Sequence, residues 1–290
     1  VARSAAEGNA GPASVHLKID TGMRRYGTLP EHAVQTASLI DSLPSLRLSG
    51  TFTHFASADE TDESPTIDQF RTFTAVVDLI RARGINPGIV HAANSAATLR
   101  SRDYDCDMVR IGIALYGLPP SSEIALWSDL RPALTVHSRL RRVFTLHAGE
   151  GVSYGGTYRA QRDERAALVP IGYADGYHRA LSNRAWMDVA GTMSPIRGRV
   201  CMDQTVIGLS SESNAHAGSD VVVVGDGTHS APTLTQLADL AGTIPYELAT
   251  ALAPRVPRHF LSQGRVVAVE DLAGLHCSPE EPETNDEAAG

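Results

Sequence analysis

The strongest constraint on how this chain folds is a change of hydrophobic period near residue 131. Before it, short alternating segments are followed by stretches with an apolar residue every three or four positions. After it, short alternating segments follow one another and helical stretches become scarce. Residues 14–20, SVHLKID, place Val15, Leu17 and Ile19 two apart, the period of a strand. A helix is predicted to begin at Pro30, a favoured first helical position, with Val34, Ala37, Ile40 and Leu43 at spacings of three. A second strand over 46–55 precedes a helix with Ser64 as N-cap, a stripe of Ile67, Phe70, Phe73, Val77 and Ile80, and Gly84 as its stop. Strands over 88–92 and 108–111 follow, leading into Asn94-Ser95-Ala96-Ala97 and Gly112-Ile113-Ala114.

Strands that alternate with helices pair in parallel through crossover helices, so residues 1–130 are expected to form four β/α units. A closed (β/α)8 barrel takes eight strands and typically about 250 residues, so four units make a partial barrel. Phosphate in such barrels often sits at the loops after strands seven and eight. The small residues at 95–96 and 112–113 could turn backbone N–H groups toward an anion, which makes these the last four units. Residues 131–275 are expected to form a β-rich C-terminal domain, with strands over 133–146, 167–171, 186–189, 196–208 and 221–225. Two helices interrupt it, one over 234–240 with Thr233 and Gln236 in capping-box register and one over 246–252. The acidic stretch 276–290 is expected to be a disordered tail.

Charge and composition narrow the function. A net charge of -8 argues against nucleic-acid binding, which depends on clustered Lys and Arg displacing counterions. No apolar run is long enough to cross a membrane and the first residues lack the pattern of a signal peptide, so a cytoplasmic location is expected. Cys106, Cys201 and Cys277 are odd in number and widely spaced, which fits reduced thiols better than disulfides or a metal cluster. The basic side chains are almost all arginine; Lys18 is the only lysine.

Several segments stand in a specific order: HLKIDTGMRRYG at 16–27, THFA at 53–56, HAANSA at 91–96, VRIG at 109–112, GVSYG at 151–155, GYADG at 172–176, CMDQ at 201–204 and RVPR at 255–258. In that order, across residues 15–260, they resemble the alanine racemase family, pyridoxal-phosphate enzymes with an α/β barrel followed by a β-domain. The resemblance implies interconversion of L- and D-alanine for peptidoglycan by a homodimer with composite active sites. By the same resemblance, Ser95 binds the cofactor phosphate, with main-chain groups at Gly112 and Ile113 and the phenol of Tyr246. Arg110 faces the pyridine nitrogen, where a permanent cation cannot accept the ring proton. Tyr154 is an acid–base residue that reaches the partner subunit's site, and His54 hydrogen-bonds it and contacts Arg110. Arg25 pairs with the cofactor's phenolic oxygen and the substrate carboxylate, a task suited to a bidentate fork. Lys18 matches a lysine carbamylated in some members, Met202 a position whose N–H binds the substrate carboxylate, and Tyr173 and Tyr246 line a narrow entrance. Taken singly, Ser95 reads as an ordinary N-cap, Arg110 as a surface residue, His54 as a core histidine and Lys18 as a plain strand-end lysine.

The family's Schiff-base lysine lies in a segment resembling Val-Lys-Ala-x-Ala-Tyr-Gly-His-Gly, and nothing like it occurs in this sequence. The expectation is therefore a partial chain, inactive by itself, that omits the first four β/α units. Two alternatives stay open: a serine or broad-specificity racemase, and a non-catalytic binding or dimerisation remnant.

Overall fold

Pairing follows the first alternating segments in order. Strands β1 (Ala13–Lys18), β2 (Leu46–Phe52) and β3 (Ile89–His91) form one parallel sheet in the order β1-β2-β3. The computed structural model describes residues 11–277 except Ser122, Leu126 and Ser128. Helix α1 (Pro30–Ser42) crosses over from β1 to β2, and α2 (Ser64–Ala82) from β2 to β3. Helix α1 buries Ala33 and Ala37, and α2 buries Phe73, Val76, Val77 and Ile80. They meet Leu17, Ile19, Phe55 and Val90 in one apolar core. A fully buried side chain such as Phe73 or Ile80 contributes roughly 2 kcal/mol by leaving water.

Two local expectations are corrected. Ser64 is the first helical residue and Glu63 the N-cap, because the Asp62 carboxylate already accepts the Ser64 N–H at 2.9 Å. Gly84 ends the helix as predicted, with φ +74 and its N–H donated to Arg81 O. The fourth strand, over 108–111, is not formed. Asp107 N–H and Arg110 N–H donate to Val90 O and Ala93 O, but the Asp107 carboxylate takes the Val90 N–H at 2.8 Å that a ladder carbonyl would have accepted. Three parallel strands are thus observed among the described residues, and they do not close a barrel.

The chain divides into two compact units, Val1–Leu134 and Thr135–Gly290. In the second unit, the segment expected as one strand over 133–146 breaks at Leu140-Arg141 into β4 (Val136–Arg139) and β5 (Arg142–Leu146). The break lets one segment serve two sheets, since Leu140 N–H turns to Ser219 O and Arg141 N–H to Leu168 O. A small hairpin, β6 (Gly151–Val152) with β7 (Tyr158–Arg159), follows. Next come β8 (Glu164–Val169), β9 (Trp186–Val189), β10 (Thr192–Pro195), β11 (Thr205–Leu209) and β12 (Asp220–Val224). They build a four-stranded sheet, β10-β9-β12-β4, and a three-stranded sheet, β11-β8-β5. The strand expected over 196–208 begins only at Thr205, with Ile196 in a single bridge to Ile207.

Helix α3 (Ser95–Arg100) belongs to the first unit, and α4 (Leu234–Ala241) and α5 (Pro245–Ala251) to the second. Thr233 and Gln236 form the predicted capping box at the start of α4. A further antiparallel sheet, β13 (Arg258–Ser262), β14 (Arg265–Asp271) and β15 (Gly274–Cys277), ends the described chain. His276 and Cys277, expected in the tail, pair with Val269 and Ala268. The rest of that expected tail lies outside the described residues. No described helix is long and apolar enough to cross a membrane.

Candidate active site

The C-terminal ends of β1, β2 and β3 bring together residues that the sequence keeps far apart. Ligands in parallel sheets bind at these ends, where loops can carry side chains without disturbing the ladder. At their centre is Arg110, half-buried. Its Nη1 donates to His91 Nδ1 at 2.8 Å, and its Nη2 to Thr53 O at 2.8 Å, Ala92 O at 3.1 Å and His54 Nδ1 at 3.3 Å. Every one of these acceptors is neutral. Its guanidinium carbon also lies 5.3 Å from the centroid of the Phe52 ring.

A guanidinium only donates, so His91 Nδ1 must accept and its hydrogen must sit on Nε2. That nitrogen is 2.9 Å from His16 Nδ1 and donates to it. The His91 ring stacks on Phe52 at 4.9 Å and is buried, whereas His16 is exposed. Burial, then the Arg110 charge, then His16 lower the His91 pKa to about 4. Gly50 makes room for the pair, because a Cβ there would stand 2.5 Å from the His16 ring. Neither Gly50 nor the His16–His91 pair was singled out from the sequence, although both histidines lie in the motifs quoted there.

His54 follows the end of β2 and is held through its backbone. Gln69, buried on α2, donates to His54 O and Thr21 Oγ1 and accepts from Ala56 N–H at 2.9 Å. Thr53 Oγ1 reaches Ile19 O and Thr21 Oγ1. Burial, then the charges of Arg110, Arg25 and Lys18, lower the His54 pKa below the ordinary imidazole value. Arg25 is exposed in the loop after β1, and Lys18, at the end of β1, has its amine 6.0 Å from the Phe52 ring. The Asp20 carboxylate shapes that loop by accepting Gly22 and Arg24 N–H groups, each at 3.0 Å. Burial raises the Asp20 pKa, but the Arg24 and Gly22 hydrogen bonds outweigh it and the pKa falls.

Ser95 opens α3, with Asn94 capping the helix through its side chain to Ala97 N–H. The plain N-cap role therefore belongs to Asn94. Ser95 Oγ accepts from Gly112 N–H at 2.8 Å and Ala114 N–H at 3.4 Å, so its own hydrogen is left to donate. Ile113, whose side chain is buried, starts a short 3-10 turn beside it.

The second unit gathers a different set. Tyr154 is 69% exposed and follows Ser153, whose φ of +62 and ψ of -174 fall in a region that side chains avoid. Ser153 Oγ holds this turn by donating to Arg199 O at 2.7 Å, with Cys201 Sγ 3.2 Å away. Tyr154, Met202 and Asp203 line an open cavity of about 380 Å³ together with Ser153, Cys201 and Gln204. Tyr173 N–H donates to Cys201 O and Ala174 N–H to Met202 O, so the Tyr173 turn is fastened to the rim of that cavity. Gly172 permits the approach, since a Cβ would meet Cys201 O at 2.3 Å and Met202 O at 2.4 Å. Tyr246 lies on α5, whose last residue, Ala251, packs against Gly176 at the end of the Tyr173 turn.

Residues 1–120 match the family model for the N-terminal domain of alanine racemase, and residues 133–260 that for its C-terminal domain. The chain is 43% identical over 263 residues to an alanine racemase of Desulfovibrio desulfuricans, covering 90% of this chain and 70% of that protein. It is 42% identical over 246 residues to one of Halothermothrix orenii, covering 85% and 65%. The crystal structure of alanine racemase from Bacillus anthracis with bound L-Ala-P matches with a TM-score of 0.84 at 37% identity, over 93% of this chain and 70% of that one. Alanine racemase from D-cycloserine producing Streptomyces lavendulae matches with a TM-score of 0.85 at 38% identity, over 90% and 69%. The chain thus spans 65–70% of the length of these two curated relatives.

Proposed function

This chain belongs to the alanine racemase family, and on that premise we propose that it serves the pyridoxal-phosphate-dependent interconversion of L- and D-alanine for peptidoglycan. The observation that carries the proposal is Arg110, a cation at the ends of three parallel strands whose observed partners are two imidazoles and two carbonyls, none of them charged.

The residues present fit the cofactor at two of its ends. Ser95, with a hydroxyl hydrogen to give and the Gly112 and Ala114 N–H groups beside it, suits a phosphate. Arg110 suits the pyridine nitrogen, because a guanidinium cannot take the ring proton and leaves the ring a modest electron sink. At the aldehyde end they do not fit, since Lys18 is the only lysine in the sequence. When bound, the cofactor withdraws electrons from the α-carbon of an amino acid and acidifies its hydrogen. Tyr154 would move a proton at that carbon, with His54 and Arg110 favouring its phenolate. Arg25 and the Met202 N–H would hold the carboxylate, Tyr246 would add a phosphate contact, and Tyr173 and Tyr246 would restrict the side chain to one as small as alanine's.

In this proposal the protein is a cytoplasmic homodimer in which Tyr154, Tyr173 and Met202 of one copy serve the Arg110 cluster of the other. Sedimentation equilibrium tests the dimer, and a monomer at micromolar concentration would reject it. Racemisation of L-alanine with added pyridoxal phosphate, followed by polarimetry, tests the chemistry. Absence of activity together with absence of Ser95-dependent cofactor binding rejects it. Turnover of serine as readily as alanine would favour a broader racemase. One observation, the single lysine, favours a second function, a non-catalytic binding or dimerisation protein. Dimerisation without Ser95-dependent cofactor binding would support that one.

A further inference from the structure

Two loops of the second unit leave the same end of neighbouring strands: residues 172–176 follow β8, and residues 200–204 lead into β11, with Val169 paired to Thr205. One carries Tyr173 and Asp175, the other Met202 and Asp203. The chain after α5 returns to both. Ala253 N–H donates to Asp175 O at 3.1 Å, and Val256 N–H to Ala253 O at 3.0 Å. Between these anchors Arg255 forks across the loops, with Nε on Asp175 Oδ1 at 2.7 Å and Nη2 on Asp203 Oδ1 at 2.5 Å. The second oxygen of Asp175 accepts the Gly172 N–H at 2.9 Å. One guanidinium therefore serves two carboxylates on two loops.

The two carboxylates are not equivalent. Asp175 is largely buried within its turn, whereas the Asp203 side chain is 52% exposed and lines the same cavity as Tyr154 and Met202. A free carboxylate at that position would repel any anion approaching the Met202 backbone, and like charges a few ångströms apart in partly solvated surroundings cost about a tenfold loss of affinity. We propose that Arg255 is a positioning residue, which ties the Asp203 carboxylate to Asp175 and so opens the Met202 amide to the α-carboxylate of an amino acid. The proposal deepens the racemase function proposed above and rests on it for the identity of the ligand, but not for the geometry.

The test uses the full 290-residue chain, with acetate as the carboxylate probe and the Met202 amide resonance as the readout. R255Q is expected to weaken acetate binding at Met202 about tenfold. D203N in the R255Q background is expected to return it to within about threefold of the parent, because the repelling charge is gone. R255K keeps the charge without the fork, and is expected to lose about threefold and to be rescued by D203N in the same way; it carries the test if R255Q does not fold. A purely structural role predicts the opposite pattern, with Met202 and Tyr173 amides already displaced before acetate is added and no rescue by D203N, and that result overturns the proposal. So does a parent chain in which acetate leaves the Met202 amide unmoved. Where the protein racemises alanine, R255Q should raise KM about tenfold and change kcat less than about threefold. Racemisation with an unchanged KM rejects the role of Arg255 and leaves the racemase function standing. The predicted acetate pattern in a protein without racemase activity keeps the role of Arg255 and rejects that function.

Discussion

Acid should unlatch the first unit through a single imidazole. His91 accepts from Arg110 on Nδ1 and donates from Nε2 to His16, so a second proton has no place except on the nitrogen that faces the guanidinium. Burial first, then Arg110, then His16 hold its pKa at about 4, against 6.5 for an ordinary imidazole. The unfolded chain takes up this proton as pH falls through about 6.5 and the folded chain only near 4, so the folded state is favoured fully above that range and progressively less within it. At about 1.36 kcal/mol per unit the difference amounts to roughly 3 kcal/mol, and screening through the exposed His16 side reduces it to about 1.5 kcal/mol. Urea unfolding of the parent and of H91N, from pH 7.5 to 4.5, isolates this contribution. The Asn oxygen can accept from Arg110 but does not titrate, while His54 and Asp20 are present in both proteins. The parent should lose about 1.5 kcal/mol more than H91N across the range. Parallel curves, or a His91 resonance titrating near 6.5, would refute the reasoning.

Three further outcomes follow from close approaches and an orphaned group. G172A places a methyl 2.3 Å from Cys201 O and 2.4 Å from Met202 O, both backbone atoms. It should cost about 2–3 kcal/mol in thermal unfolding and perturb the Tyr154 cavity, and a cost under about 0.5 kcal/mol would show that the two loops part easily. G50A pushes the His16 ring away from His91, so it should cost only about 1 kcal/mol while changing the His91 ring shift in NMR, and an unaltered shift would contradict the pairing. Y177F removes a fully buried hydroxyl with no hydrogen-bond partner among the described residues, whose pKa burial pushes up. Its denaturation midpoint should stay level or rise by the equivalent of about 1 kcal/mol, and a clear loss of stability would mean that the hydroxyl has a partner.

What the sequence disclosed follows the range over which each signal acts. Thr233 and Gln236 satisfy each other across three residues, so their capping box needs nothing else of the fold. The strand expected over 186–189 has those bounds, Trp186–Val189, although Met187, Asp188 and Val189 are all buried and no alternation marks it. Residues 108–111 also have strand-forming side chains, yet Asp107 spends its carboxylate on the neighbouring strand and no ladder forms, a competition that local propensity does not register. The sheet β13-β14-β15 went unread because Phe260, Leu261, Val266 and Val267 are all exposed and no clean alternation marks a buried face. Within the site, Arg110, His54 and Ser95 were legible through the resemblance of their motifs. The link from His91 to His16 joins residues 75 positions apart, and Gly50 and Arg255 matter only through what the fold brings against them.

The choice of partners for Arg110 explains why the strand ends are built as they are. An arginine in such a place could be paired with a carboxylate, which would lower the cost of burying it but also cancel its field. Here Thr53 O and Ala92 O, buried main-chain carbonyls just past the ends of two strands, and two imidazoles solvate the guanidinium instead. Those imidazoles can act only while neutral, and Arg110 itself helps to keep them so, since its charge is among the causes that depress both pKa values. The arrangement is therefore self-consistent: the cation holds the histidines uncharged, and the uncharged histidines leave the cation its full charge. A site made this way presents positive charge to whatever enters above Ser95 and Gly112, and the lowered pKa values of His54 and His91 favour the neutral imidazoles that leave that charge uncancelled. The Thr53 and Ala92 acceptors are backbone carbonyls, so side-chain changes at these buried positions would reach Arg110 only indirectly, through packing and the Thr53 hydroxyl's own hydrogen bonds. Replacing His91 or His54 by a carboxylate would neutralise the cluster while preserving the hydrogen bond, which separates the role of charge from the role of position.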